Sequence, residues 1–378
     1  MDLQLTETQT HIRDLARRFA RERLAPTARQ RDREAIFPTA ELHEAGELGL
    51  LGVNVPEELG GSEAGVVAYA LAIAELAEAC ASTTVAVAVT NMVAEQIARF
   101  GTDAQRKAFV PRLVSGKAVA GAFALSETQC GSDASALTTS ARRDADGWVV
   151  NGQKQWITSG DRAGVVLVFA RTGGPGAKGV SAFLVEGGAP GMTAGRPEHK
   201  MGLRGSSTVP LTFENCRLAT DALLGEEGGG FKIAMSALDG GRIGISAQAI
   251  GVLRGCLAAS RTYAKQRKAF GGTLAELQAI QWKLADMATD LAAAELLCFR
   301  AASLKDQGRP FTREASMSKV FCSEAANRHA SEAVQIHGGY GYIDEFPVER
   351  YFRDARVQTL YEGTSEIQRK VIAREILK

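Results

Sequence analysis

The first third of the chain carries apolar residues at helical spacing. Thr6 and Gln9 match the capping box that begins many helices, and an apolar stripe follows at Ile12, Leu15 and Phe19. The same spacing predicts four further helices, over residues 40 to 49, 65 to 80, 83 to 100 and 103 to 115. We therefore expect an N-terminal helical domain.

Beyond about Val119 the pattern changes to short runs rich in β-branched and aromatic residues. Four such runs are GWVVNGQKQWIT, AGVVLVFART, GVSAFLVEGG and VPLTFENCRL. They are separated by Asp-Gly, Asn-Gly and Gly-Gly pairs, which are typical of turns. We expect a small β domain in which a turn at Asn151 and Gly152 precedes a strand that carries Trp156, Ile157 and Thr158 with alternating side chains.

Helical spacing returns after the glycine cluster at residues 228 to 230. The patterns over residues 230 to 268, 274 to 307 and 312 to 336 are long enough for an antiparallel bundle. The chain is thus predicted to be an α+β multidomain protein. Its domains are an N-terminal α-helical domain over residues 1 to 118, a middle β domain over residues 119 to 228, and a C-terminal four-helix-bundle domain over residues 229 to 378.

A lone glutamate stands near the C-terminus in the stretch LYEGTSEIQRKVIARE. Ser365 and Gln368 match a second capping box, so we expect a helix to begin just after Ser365 and Glu362 to lie in the entry loop. Gly363 allows a sharp turn there, in a position from which loops present carboxylates to ligands. The alternative is a surface glutamate that the helix dipole favours.

Charge and composition exclude several classes of function. With 44 basic and 43 acidic residues, the chain has no net field that would attract nucleic acid or an anionic membrane. The six cysteines stand singly, as reduced thiols do, and the five histidines show no metal-ligand spacing. The most apolar stretch, residues 66 to 98, contains three glutamates, which favours buried helices over membrane insertion. The histidine and cysteine spacing predicts no metal site. No targeting segment is recognisable, so we expect a cytoplasmic protein.

Four further segments contain polar and aromatic residues in patterns suited to a cofactor. FALSETQCGSDAS reads as a strand end that opens into a loop of hydroxyl and amide groups, which suits a polar ring edge or a phosphate but equally a simple turn. The others are NGQKQWITSG, QRKAFGGTLAELQAI and QIHGGYGY. Together with the Glu362 stretch they resemble the acyl-CoA dehydrogenase family, flavoproteins that desaturate acyl-CoA thioesters. The resemblance covers essentially the whole chain.

The resemblance implies FAD as the cofactor. Arg267 would bind the pyrophosphate of the FAD held by a neighbouring subunit, and this sharing implies a homotetramer. From the residues alone, Trp156 could instead be a core residue and Arg267 a solvated cation. The cofactor-binding residues that the resemblance implies are Phe123, Leu125, Ser126, Ser132, Trp156, Ile157, Thr158, Arg267, Phe270, Gln278, Gln335, Gly339, Thr364 and Glu366.

The resemblance also implies which residues act on the substrate. Most members carry the base that removes the α-proton at the position of Glu362, and a minority carry it at the position of Gly241, which cannot act as a base. Burial would raise the pKa of Glu362 from about 4.3 towards the working pH. Asp239 and Arg242 could equally form an ion pair on a helix surface. The implied substrate-binding residues are Ser132, Asp239, Arg242 and Gly363.

The leading hypothesis is an FAD-dependent acyl-CoA dehydrogenase that passes electrons to an electron-transfer flavoprotein. An acyl-CoA oxidase of the same fold would reduce oxygen instead, and a nitroalkane-oxidising relative would carry aspartate at the Glu362 position. A flavin-free assembly protein of the same fold is the alternative without catalysis. The stretch LDGGRIGISAQAIG resembles short-chain members, so we expect short acyl groups. The loop Thr128-Gln129-Cys130-Gly131 departs from the family's usual Pro-Gly-Ala-Gly.

Overall fold

The computed structural model describes residues 4 to 378, and its N-terminal part is helical. Thr6 caps the first helix: its hydroxyl accepts the N–H of Gln9, and the Gln9 side chain accepts the N–H of Thr6, as predicted. The α-helices described in this part are α1 (Glu7–Phe19), α2 (Ala28–Glu34), α3 (Thr39–Glu47), α4 (Gly65–Phe100) and α5 (Asp103–Val114).

The two helices predicted over residues 65 to 80 and 83 to 100 form one kinked helix, α4. Cys80 at its middle has an extended backbone, with φ −154° and ψ 95°. The hydroxyl of Thr84 donates to the Cys80 carbonyl at 2.9 Å, which provides a partner for this carbonyl at the kink. The break between the two sequence patterns therefore marks a bend rather than a connecting loop.

The middle of the chain forms an eight-stranded sheet. Its order is β6–β7–β3–β2–β4–β5–β8, and β1 pairs with β4 in parallel off this path. Strands β3, β4, β5 and β7 arise from the four predicted runs. The strands are β1 (Gly121–Ala124), β2 (Ser140–Asp144), β3 (Gly147–Thr158), β4 (Val165–Arg171), β5 (Val180–Glu186), β6 (Met192–Ala194), β7 (Thr208–Ala219) and β8 (Leu223–Leu224).

The predicted turn at Asn151 and Gly152 is wrong. Strand β3 runs through both residues, and the tight turn lies between β2 and β3, where Asp144 pairs with Gly147. Gly152 has φ 143° at a shift in the β3–β7 register, and a Cβ added there would lie 2.6 Å from the Thr139 Cα. An Asn-Gly pair tolerates the backbone of a β-bulge as well as that of a turn, so local sequence did not distinguish the two.

The chain ends in a helical bundle. Helix α6 packs on both α4 and α8. A two-stranded hairpin, β9 (Lys268–Ala269) and β10 (Gly272–Thr273), lies between the first two helices of this part. The helices described here are α6 (Gly230–Gln266), α7 (Gln278–Asp306), α8 (Thr312–His337), α9 (Val348–Arg356) and α10 (Ser365–Ile376). The predicted order of a helical, a β and a second helical part is confirmed.

Helices α4 and α6 are long and apolar enough to cross a membrane by length and composition alone. Their most apolar windows are nevertheless 83% and 78% buried inside the protein. For α4, the three glutamates within residues 66 to 98 had indicated a buried helix, and the structure agrees. All six cysteines are free and buried, in line with the expected reduced thiols.

Candidate active site

Glu362 lies at a sharp corner of the backbone before α10. Glu362 and Gly363 both have left-handed backbone, with φ of 53° and 86°. The predicted capping box at Ser365 is wrong, because Thr364 is the N-cap and its hydroxyl accepts a backbone N–H of the first turn at 3.3 Å. Gln368 instead donates to the carbonyls of Glu362 (3.0 Å) and Gly363 (2.9 Å). Its side chain therefore stabilises the corner rather than the helix end.

The Glu362 carboxylate lies against helix α6. A Cβ built on Gly241 would lie 2.8 Å from Glu362 Oε2, so the glycine leaves room for the carboxylate. Oε2 is buried and has no hydrogen-bond partner among the described residues. Desolvation raises the pKa of Glu362 to about 7, against the opposing positive charges of Arg242 and Lys319. The predicted rise is confirmed, and a carboxylate with this pKa suits proton abstraction near neutral pH.

Arg242 and Asp239 lie on α6, and their side chains contact α8. Arg242 is buried, so the alternative of a surface ion pair is wrong for it. Its Nη1 donates to Asp239 Oδ1 at 2.5 Å and to Ser316 Oγ at 3.3 Å. The hydroxyl of Thr312 donates to the second Asp239 oxygen at 2.7 Å. The buried Arg242 Nε has no partner among the described residues, so it remains free to donate to a ligand.

The FALSETQCGSDAS segment leaves β1 and forms the predicted loop. Phe123 packs against Phe169, with ring centroids 4.9 Å apart, and Leu125 is buried. Ser126 is half-buried and Ser132 is exposed, so the hydroxyls predicted to meet a ligand lie at the surface of the β domain. These positions are compatible with the predicted contacts, which remain predictions.

A buried ion pair holds this loop against β3. Lys154 is fully buried and donates to Glu127 Oε1 at 2.8 Å and to the Leu125 carbonyl at 3.1 Å. The Glu127 carboxylate also accepts the N–H groups of Thr138 (2.7 Å) and Thr139 (2.9 Å). Burial alone would raise the pKa of Glu127, but the Lys154 charge and these bonds lower it to about 2. One carboxylate thus connects both ends of the loop to the sheet.

The atypical residues of the loop fit this arrangement. The Gln129 amide donates to Glu127 Oε2 at 2.7 Å, and Cys130 exchanges two backbone hydrogen bonds with Glu127, at 2.9 and 3.1 Å. Cys130 is buried, whereas Thr128 and Gln129 are exposed. The departure from Pro-Gly-Ala-Gly therefore leaves a closed turn.

Trp156 is a large aromatic residue that the chain leaves uncovered. It is 61% exposed and has φ 63°, so the alternative of a core residue is wrong. Its left-handed backbone coincides with a register shift between Lys154 and Ile157, which breaks the predicted alternation of side chains. Ile157 is buried in the β-domain core, so its side chain cannot line a ligand site and only its backbone could do so. Thr158 is half-buried at the strand end.

Two residues predicted to contact a neighbouring subunit's cofactor line one cavity of about 470 Å³. The Arg267 guanidinium lies 5.6 Å from the Tyr340 ring centroid, over the ring face. A Cβ added at Gly338 or Gly339 would meet no atom within 4 Å, so the backbone there is open to a ligand. The lining residues are Tyr263, Arg267, Leu274, Ile336, His337, Gly338, Gly339, Tyr340 and Ile343.

The remaining predicted cofactor residues lie on exposed surfaces near this cavity or at α10. Phe270, at the tip of the β9–β10 hairpin, is 93% exposed. Gln278 begins α7 and Gln335 lies in the last turn of α8, and both are exposed. Thr364 and Glu366 lie at the start of α10, beside the Glu362 corner.

Lys319 belongs to the site, although the sequence analysis did not identify it. It is fully buried on α8, and its Nζ donates to the Gly363 carbonyl at 2.6 Å. A helical lysine normally extends into solvent, so its residue type gives no reason to expect burial. The available signal was its place on the apolar face of α8, four residues after Ala315 and three before Cys322, both of which are buried.

These features fit a flavin nucleotide. Trp156 is exposed, and the loop of hydroxyl and amide groups lies beside its strand, where the N–H of Gln155 donates to the Ser126 carbonyl at 2.9 Å. A planar ring could bind there. The cavity at Arg267 combines a guanidinium with open glycine backbone, which suits a pyrophosphate. The donor set of the chain is therefore compatible with FAD.

Family models match the chain in three consecutive parts. The N-terminal domain of acyl-CoA dehydrogenase matches residues 6–117, the middle domain residues 122–216, and the C-terminal domain residues 228–377. Together they span most of the chain.

Individual relatives match over the full length. The mitochondrial short-chain specific acyl-CoA dehydrogenase of Bos taurus is 50% identical over 378 residues, covering 100% of this chain and 92% of that protein. Butyryl-CoA dehydrogenase from Megasphaera elsdenii is 42% identical with a TM-score of 0.98, and 100% of both chains is covered. A chain in a structure of the electron transferring flavoprotein of Acidaminococcus fermentans is 43% identical with a TM-score of 0.98, again over 100% of both chains. The chain therefore belongs to the acyl-CoA dehydrogenase family.

Proposed function

We propose that this protein is an FAD-dependent acyl-CoA dehydrogenase that introduces a double bond between the α- and β-carbons of short-chain acyl-CoA thioesters. Its electrons pass to an electron-transfer flavoprotein. The observation that carries the proposal is the Glu362 carboxylate, whose Oε2 is buried beside Gly241 without a hydrogen-bond partner and whose pKa is raised to about 7. A purely structural glutamate would be paired or solvated.

Glu362 removes the α-proton of the thioester. Its raised pKa makes the carboxylate a stronger base than an exposed glutamate, while a substantial fraction remains ionised at neutral pH. The positive charges of Arg242 and Lys319 keep that fraction from falling further. Gly241 allows the carboxylate to approach α6, where a side chain would displace it.

The developing negative charge on the thioester oxygen requires hydrogen-bond donors. The backbone N–H of Glu362 donates to no carbonyl among the described residues, so it is free to donate to this oxygen. A donor that is fixed by the backbone stabilises an enolate without reorganisation during the reaction. The same corner therefore carries both the base and a donor.

When bound, FAD supplies the acceptor for the hydride that leaves the β-carbon. Trp156 would cover one side of the ring system and exclude water, and the Thr158 hydroxyl would donate to the ring. Phe123, Leu125, Ser126 and Ser132, at the end of β1 and in the loop that follows it, would contact the same cofactor. Arg267 would bind the pyrophosphate of the cofactor in an adjacent subunit.

Two observations support short acyl groups. The similar proteins include a short-chain specific enzyme and a butyryl-CoA dehydrogenase. Helix α6 is also closely covered on both sides of Gly241: a Cβ at Gly244 would lie 2.5 Å from the Tyr69 hydroxyl, and one at Gly240 would lie 2.8 Å from Lys305 Nζ. The Tyr69 hydroxyl and the Lys305 ammonium group would therefore border an acyl chain that lies along this helix.

Anaerobic titration of the FAD-loaded protein with butyryl-, hexanoyl- and octanoyl-CoA tests the proposal. We expect bleaching of the flavin absorbance, most complete with butyryl-CoA. Absence of bleaching with every acyl-CoA in FAD-saturated protein would contradict the function.

The electron acceptor is tested in the same preparation. Reduced enzyme should be reoxidised rapidly by an electron-transfer flavoprotein and release little hydrogen peroxide in air. Stoichiometric peroxide release would identify an oxidase instead, and a colourless protein that does not take up FAD would identify a non-catalytic assembly protein.

A further inference from the structure

The backbone corner that presents Glu362 requires support from outside its own segment. Glu362 has φ 53°, a left-handed conformation that disfavours any residue other than glycine, and Gly363 continues it with φ 86°. Gln368 donates to both carbonyls, but it belongs to the helix that follows directly. Contacts within one segment move with that segment and cannot fix it against the bundle.

Lys319 supplies that outside support from α8. Its Nζ donates to the Gly363 carbonyl at 2.6 Å, and its side chain is fully buried. An ammonium group is strongly disfavoured in such a place unless an interaction compensates for lost water. Burial lowers the pKa of Lys319 to about 8, although the negative charges of Glu362, and more weakly of Glu324 and Glu366, oppose this shift. The lysine and the base therefore stabilise each other's charged forms.

The other titratable groups around the carboxylate do not provide the same support. Arg242 on α6 is bound to Asp239 and Ser316, and it does not contact the corner's carbonyls. Burial raises the pKa of Tyr69 on α4 and of Tyr361, which precedes the corner. The Tyr361 hydroxyl donates to the Gln248 side chain on α6, which holds the residue before the corner but brings no charge to it. Both phenols are neutral at physiological pH. Among these groups, Lys319 alone combines a positive charge with a hydrogen bond to the corner.

We propose that Lys319 is a positioning residue for the reaction: it fixes the Glu362–Gly363 corner to α8 and favours the ionised carboxylate. The inference rests on the proposed role of Glu362 as the base. Removal of Lys319 should misplace the base and make it harder to ionise, so that proton abstraction slows while FAD and acyl-CoA still bind.

The first test compares Lys319→Met with wild type across a pH series. Stopped-flow bleaching by butyryl-CoA should be at least tenfold slower at neutral pH in the variant, and the pH at half-maximal rate should rise by roughly one unit. Lys283→Met is the matched control, because it removes a lysine that pairs with Glu332 on α8 away from the corner. The control should follow the wild-type profile. A Lys319→Met profile that coincides with wild type would overturn the proposal.

A second measurement avoids turnover and covers a variant that folds poorly. Lys319→Gln keeps an amide donor but removes the charge. The two single variants Lys319→Gln and Glu362→Gln and their double variant form a double-mutant cycle, in which melting temperatures of the flavin-free proteins are measured at about pH 8. The loss caused by Lys319→Gln should be clearly smaller in the Glu362→Gln background. Equal losses in both backgrounds would overturn the proposal.

The bleaching experiments distinguish failure of the proposed function from failure of this inference. If wild type itself is not bleached by any acyl-CoA, the proposed function fails. If wild type is bleached but the Lys319→Met profile is not shifted, only the role of Lys319 is rejected.

Discussion

At the residue scale, Glu362 combines features that oppose stability. Its backbone is left-handed, and its buried Oε2 lacks a partner, while Gly241 leaves space for it. Such features persist where function requires them. The position of this carboxylate before a helix could be predicted from the YEG stretch. The burial of Lys319 could not be predicted, because it depends on how the helices pack. The capping role of Thr364 could not be predicted either, because Ser365 offers the same hydroxyl one residue later.

The raised pKa of Glu362 predicts a pH-dependent reduction rate. The carboxylate must be ionised to accept a proton, so bleaching by butyryl-CoA should be fast above about pH 7 and slow down as the pH falls through that value. Stopped-flow rates at saturating substrate measure this dependence. A rate that stays constant down to pH values near the ordinary glutamate pKa of about 4.3 would contradict it.

The same pKa predicts that the base destabilises the fold. The pKa of Glu362 is raised from 4.5 to about 7, so the folded state binds this proton more tightly than the unfolded state does. The contribution of Glu362 to the free energy of unfolding is therefore fully present below pH 4.5 and is lost as the pH rises through about 7. Glu362→Gln should therefore raise the free energy of unfolding above pH 7, by roughly 1–3 kcal/mol, and have little effect below pH 4.5. Melting temperatures across pH measure the difference. A variant that melts below wild type at high pH would contradict the prediction.

At the element scale, the FALSETQCGSDAS loop and strand β3 act as one unit because Glu127 and Lys154 join them. The strands themselves could be predicted from β-rich runs. The bulges at Gly152 and Trp156 could not, because a bulge depends on the register with β7, which lies more than 50 residues away in sequence. Similarly, the kink at Cys80 looked like a gap between two helices.

Breaking the Glu127–Lys154 pair should weaken both the fold and cofactor binding. Glu127→Gln leaves a buried lysine without its counter-charge, which costs about 3–5 kcal/mol, and loosens the loop that is predicted to hold FAD. We expect a lower melting temperature and a weaker FAD affinity by fluorescence titration. Glu186→Gln is the control, because its pair with Arg112 is exposed and contributes about 1 kcal/mol or less. Equal effects of the two substitutions would contradict this account.

At the scale of the whole molecule, the order of helical, β and helical parts could be predicted from periodicity and resemblance. Periodicity gives no sign of the surfaces that the chain leaves uncovered, whereas the resemblance does, because it assigns both Trp156 and Phe270 to the cofactor. Trp156 and Phe270 are exposed to 61% and 93%, and the Arg267 cavity opens beside Gly339. Some of these residues are predicted to bind the FAD of another chain. If so, cofactor binding depends on assembly of the oligomer.

The protein should form a homotetramer, and Arg267 should contribute to cofactor retention within it. Light scattering should give about four times the 40.1 kDa chain mass. Arg267→Gln removes the predicted pyrophosphate contact and should lower the FAD content of the purified protein. Arg300→Gln, which changes an exposed arginine on α7, is the control. A monomer that retains FAD fully despite Arg267→Gln would contradict cofactor sharing.

The most direct measurement is the anaerobic bleaching of Glu362→Gln by butyryl-CoA. The account predicts that this variant purifies yellow with wild-type FAD content, binds butyryl-CoA and shows no reduction of the flavin on the time scale of wild type. Glu186→Gln, whose carboxylate pairs with Arg112 at the surface, should bleach like wild type. Bleaching of Glu362→Gln at a near-normal rate would show that another group removes the proton.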